Sequence, residues 1–94
     1  MKLLTIKPSL VKGKRLTATF INGKQTITTH FGLDTGQTYI DHKDDAKRLA
    51  YIARHRPNED WNDPTTAGSL SRYILWEKPT LYQSIRAFKQ RFNI

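Results

Sequence analysis

Two runs of alternating residues, Leu16–Ile21 and Lys24–Phe31, meet at Asn22-Gly23, and this junction limits what the chain can fold into more than any other feature. Asn-Gly supplies the positive backbone angles of a two-residue type I′ turn, so the segment predicts a β-hairpin. With Ile21 opposite Lys24, the residues Leu16, Ala18 and Phe20 share a face with Ile27 and Phe31, which is the core side. The other face carries Arg15, Thr17, Thr19, Lys24, Thr26, Thr28 and His30, a threonine-rich cationic surface suited to water. Leu3–Lys7 predicts a further strand ended by Pro8 and a turn at Lys12–Lys14, and Thr38–Ile40 predicts a short edge strand.

At Asp41 the period of two gives way to helical spacing. Asp41 reads as an N-cap, with Asp44 and Asp45 where carboxylates favour the helix dipole. The inward face is expected to be Ala46, Leu49, Ala50 and Ala53, helped by Ile52, and Arg54, His55 and Arg56 crowd the last turn before Pro57. The polar loop Asn58–Asp63 holds one Trp61, expected to pin it to the core. Asp63-Pro64 reads as the N-cap and first residue of a second helix that runs through Ala67, Leu70, Ser71, Ile74 and Leu75 to Pro79, with Gly68 and Ser71 allowing another element to approach closely. Thr80 and Gln83 form a capping box for a third helix, in which Leu81, Ile85, Phe88 and Phe92 recur at helical spacing. Strands precede helices without βαβ alternation. The expected fold is therefore α+β, a single domain over residues 1–94, with an antiparallel sheet of three to four strands packed by three helices.

A chain of 94 residues can bury one modest core, which excludes a two-domain enzyme. It has no cysteine, hence no disulfide framework and no thiolate zinc site. Met1–Ile6 holds four apolar residues before Lys7 and Pro8, too few for a signal-peptide core or a membrane span, so the expected setting is a cell interior and no membrane partner.

The formal charge of +8 is unevenly distributed. Residues 1–33 contain Lys2, Lys7, Lys12, Lys14, Arg15 and Lys24 and no acid, the middle of the chain is slightly acidic, and residues 65–94 set five cations against Glu77 alone. A field of this sign concentrates polyanions, of which nucleic acid is the commonest in a cell. Acidic protein surfaces and anionic lipid satisfy the same electrostatics, and lysines also simply keep a small domain soluble.

Catalytic chemistry has no comparable signature. His30, His42 and His55 lie apart, without a second ligand at metal spacing. Asp41, Asp44 and Asp45 imitate a magnesium cluster but are explained by capping. There is no phosphate-binding glycine loop and no nucleophile elbow. Neither an enzyme nor a cofactor is expected. The candidate surfaces are the hairpin side, with Lys12, Lys14, Arg15 and Lys24, and the polar face of the third helix, with Arg86, Lys89 and Arg91 beside Tyr82, Gln83 and Gln90, cations and amides suited to phosphates and base edges. The short Glu77–Thr80 turn before that helix weakly resembles a helix-turn-helix, although any helical layer contains such joins. Tyr73, Trp76 and Tyr82 gather near the same join, Trp76 as core and Tyr82 as core or interface.

YIARH at 51–55, NEDWNDPTTAGSLSRYILW at 58–76, and KPTL at 78–81 running on to FKQRF at 88–92 resemble a family of short basic proteins encoded by large DNA viruses and phages. The likeness is close over residues 38–94 and loose over the hairpin, and it transfers no ligand or catalytic residue. It implies a viral origin, with the virion or the host-cell interior as the setting. The expected function is a small basic binding protein acting on nucleic acid, DNA first. The alternatives are a virion structural component, such as a minor capsid or cement protein, and a host-defence antagonist.

Overall fold

The structure is a computed structural model and describes residues 1–94. Three strands, β1 (Lys2–Pro8), β2 (Lys14–Asn22) and β3 (Gln25–Leu33), form an antiparallel sheet in the order β1-β2-β3. The hairpin is present with a shifted turn. Asn22 pairs with Gln25 and Ile21 with Thr26, so Gly23 and Lys24 are the two turn residues rather than Asn22 and Gly23. Gly23 takes φ +63° at the first central position, the pattern of a type II′ turn, which leaves Asn22 extended in the strand. The shift preserves parity. Leu16, Ala18 and Phe20 still face the core together with Ile27 and Phe31. A bulge at Leu4 restores the same parity in β1, where Leu3 pairs with Phe20 and Ile6 with Ala18.

The expected fourth strand does not form. Tyr39–His42 is instead a short helix, α1, and Lys43 then adopts φ +55° and separates it from α2 (Asp45–His55). Asp41 is therefore inside α1 and does not cap the long helix; Asp44 does, its carboxylate accepting from the backbone N–H groups of Ala46 and Lys47. The first predicted helix is thus two helices, and four are present rather than three.

The buried face of α2 is also rotated from expectation. Leu49 is 61% exposed and Ala46, Ala50 and Ala53 are exposed, whereas Arg48, Tyr51, Ile52 and His55 turn inward. Alanines remove little area from water, and one large ring outweighs several of them. Tyr51 stacks on Trp76 with 4.3 Å between centroids and 5° between planes, and this contact decides the orientation.

In the second predicted helix, Asp63 turns the chain by accepting from the Thr65 N–H and hydroxyl, and Thr66 is the N-cap. The helix proper, α3 (Ala67–Leu70), continues as a wider π turn over Ser71–Leu75. The last helix, α4 (Leu81–Phe92), is capped by Thr80 as expected, and it buries Phe88 while Leu81, Ile85 and Phe92 pack against the core. Trp61 pins its loop edge-on to Tyr73. No helix is long and apolar enough to cross a membrane. Leu70, Ile74, Leu75 and Phe88 meet Leu3, Leu16, Ala18, Phe20 and Phe31, so the core lies between one face of the sheet and α3, the π turn and α4.

One carboxylate joins the helical layer. Glu77, only 13% exposed, binds Arg48 of α2, Arg72 of the π turn at 3.4 Å and Arg91 of α4 at 3.7 Å, while Arg48 also donates through Nε to the Trp76 carbonyl at 2.9 Å. Removing one partner from a buried charge network strands the others. Glu77→Gln is therefore expected to lower unfolding free energy by about 3 kcal/mol in urea titration, whereas Leu49→Ser, on the outward face of α2, changes it by less than about 0.5 kcal/mol. The opposite ranking would contradict the observed helix orientation.

Candidate functional site

Ion pairing sorts the cations. Only four of the sixteen lysines and arginines pair with an acid, and all four are arginines: Arg15, Arg48, Arg72 and Arg91. Arg15 grips Asp41 with two 2.7 Å hydrogen bonds and donates to Thr38 Oγ1 at 3.1 Å. Asp41 also accepts from the Thr38 N–H at 2.8 Å. The Arg15 guanidinium, aided by Thr38, holds the Asp41 carboxyl well below the usual carboxylate range. Arg15 is thereby committed to the fold.

The remaining predicted residues do not converge. Lys24 sits at the hairpin tip, roughly 25–30 Å from Lys14 along β2 at about 3.3 Å per residue. On α4, Arg86 lies over the Tyr82 ring at 5.8 Å and Arg91 over the Tyr73 ring at 4.3 Å, and Lys89 is exposed. Lys12 and Lys14 share the opposite end of the sheet from Lys24. On the outward sheet face His30 Nδ1 lies 2.9 Å from Ser9 Oγ and 2.8 Å from Thr17 Oγ1. The three aspartates point to different tasks: Asp41 to Arg15, Asp44 to the α2 cap, and Asp45 to the Tyr39 hydroxyl at 2.7 Å.

Lys14 stands on the rim of a cleft of about 430 Å³ between the end of the sheet and helices α2 and α3. Phe31, Leu75 and the rings of Tyr51 and Trp76 supply its apolar walls, and Arg54, His55 and Glu59 join Lys14 as charged or ionisable groups. Gln37, Thr38 and Ser71 add polar edges. Two glycines shape it. Gly32 has φ +78°, and a side chain there would meet Leu75 Cδ1 at 2.9 Å. At Gly68 the Glu59 carboxylate occupies the space a Cβ would take, so a side chain there would displace that carboxylate.

A ladder of rings runs into the cleft. His42 meets Trp76 edge-on at 5.4 Å, Trp76 stacks on Tyr51 at 4.3 Å, and Tyr51 stacks on His55 at 4.2 Å. His55, at the cleft end, keeps 40% of its side chain exposed, and its Nδ1 lies 3.8 Å from Glu59. In the sequence the helix dipole alone accounts for Arg54 and His55, so their place at the cleft is not evident there. The signal was the four-residue spacing of Tyr51 and His55, which places both rings on one side of α2.

Burial, with Glu59 adding to it, pushes the Tyr51 hydroxyl up to about 12. A raised value stabilises the fold fully below the ordinary tyrosine value of 10.0, and that contribution is lost as pH rises through about 12. Tyrosinate absorbance is expected to show a late step near pH 12 that disappears in Tyr51→Phe; an unchanged titration would contradict the burial of this ring. For Asp41 the sign is opposite. Its contribution is present above the ordinary carboxylate value and is lost as pH falls below it. Asp41→Asn should therefore destabilise the protein at neutral pH and have little effect in strong acid, as read by denaturant titration at both.

The family model of a family of unknown function (DUF5754) matches residues 4–55, more than half of the chain. No curated protein and no solved structure matches. The matched segment spans the whole hairpin and α2, and with them Lys14, Tyr51, Arg54 and His55, while Glu59, Gly68 and Trp76 lie beyond it.

Proposed function

The chain thus belongs to DUF5754, and we propose that it is a small, non-enzymatic nucleic-acid-binding protein, acting on DNA in a virus-encoded setting. The observation that carries this reading is the charge left over after pairing. Residues 1–33 hold six cations and no acid, and only Arg15 among them is neutralised by an ion pair. Lys12 and Lys14 stand at the cleft end of the sheet, with Arg54 on the helical side of the same cleft. Cations on both sides of a groove suit a phosphate backbone. The α4 cations Arg86 and Lys89 supply a second, separate contact. The viral setting rests on the resemblance of the motifs between residues 51 and 92.

A second reading, as a virion structural component, is favoured by the outward apolar stripe of α2 around Leu49 and by the full exposure of Leu10, because exposed apolar residues on a small domain suit contact with another protein.

The two are separated by fluorescence-anisotropy titration against random-sequence DNA at two salt concentrations. The expected result is micromolar or tighter binding at low salt, falling about 100-fold between 50 and 200 mM if about four phosphates are engaged. Lys12→Glu with Lys14→Glu should weaken it at least tenfold, and more than Arg86→Glu with Lys89→Glu. Absence of binding at low salt would overturn the nucleic-acid reading and leave the structural one.

A further inference from the structure

Resting on the nucleic-acid reading, we propose that the cleft beside Lys14 receives one unpaired nucleobase, so that the protein holds single-stranded nucleic acid in preference to duplex. Its volume of about 430 Å³ falls within the range of small-molecule sites and suits a single nucleotide rather than a base pair within a duplex. Its walls are apolar and aromatic, as a base requires, and the ladder of Trp76, Tyr51 and His55 ends in a ring that is still partly open. A base laid against that ring would extend the stack, a contact that works for any base because every base has a π-face.

The polar groups fix the direction of entry. Lys14 and Arg54 attract the phosphate. Glu59 repels it and accepts hydrogen bonds, and the only basic side chain within 4.0 Å of it is His55, whose Nδ1 is 3.8 Å away, so its oxygens remain available to a base amine. Ser71 and Gln37 provide further edge contacts. A bare anion drawn in by Lys14 and Arg54 would also meet the Glu59 carboxylate, whereas a nucleotide separates its two halves to match these charges. Bases within a duplex are stacked and paired and cannot enter such a cleft without being extruded.

The test uses the full chain, a short DNA strand carrying one 2-aminopurine, and the same strand annealed into a duplex. The expected result is at least tenfold tighter binding of the single strand at equal salt, with 2-aminopurine fluorescence quenched by stacking. Ala67→Trp, an exposed residue at the cleft, should weaken single-strand binding at least tenfold, abolish the quenching and so narrow the preference for single strand over duplex. Circular dichroism checks that this variant folds. If it does not, quenching in the unmodified protein decides the matter alone. Equal affinity for both forms without quenching would overturn the cleft as a base site while leaving nucleic-acid binding intact. If neither form binds, the underlying reading fails with it.

Discussion

The Glu77 carboxylate organises the helical layer. It sits just after the π turn and holds guanidinium groups from α2, from the π turn itself and from α4. One negative charge faces three positive ones, and burial draws Arg72 down from the usual arginine value, with Arg48 and Arg91 nearby and Glu77 opposing. Aromatic faces take up part of the excess, since Arg72 lies over Trp61 and Tyr73 and Arg48 over Tyr39. Arg48 and the Tyr51–Trp76 stack together hold α2 by the side opposite its alanines. Leu49 is left outside as a consequence.

The same economy of acids explains the surface. Asp41 and Glu77 are spent on arginines, and Asp44 and Asp63 satisfy backbone donors at a helix start and a turn. Asp45 accepts from Tyr39, an interaction that raises the Tyr39 hydroxyl above its ordinary value. With these acids engaged by arginines, backbone donors and a tyrosine hydroxyl, no lysine is held in an ion pair. The lysines are left unpaired on the surface, and they are what a polyanion meets.

The local parts of this architecture were legible in the sequence. Alternation from Leu16 to Phe31 assigned the core face even though the turn lies one residue later, because either register keeps the same parity. The Thr80 cap and the Leu81, Ile85, Phe88 and Phe92 stripe located α4 for the same local reason. Errors arose where a distant partner decided the outcome. Thr38–Ile40 carries strand-forming residues, yet Asp41 reaching Arg15 places it beside and within a helix. The alanines of α2 marked a plausible buried stripe, but Trp76 and Glu77, more than twenty residues away, selected the opposite side. The cleft was invisible for a related reason: its residues come from β2, β3, α2, α3, the π turn and the loops between them, and only Lys14 among them is a candidate binding residue in the sequence.

The most direct measurement is a backbone amide NMR titration of the protein with a short single-stranded DNA. It reads out every face of the molecule at once. The account predicts that shifts concentrate at Lys12, Lys14, Gly32, Arg54 and His55, where free cations and the open end of the ring ladder meet. Shifts confined to the Leu49 side of α2, or none at all at low salt, would contradict it.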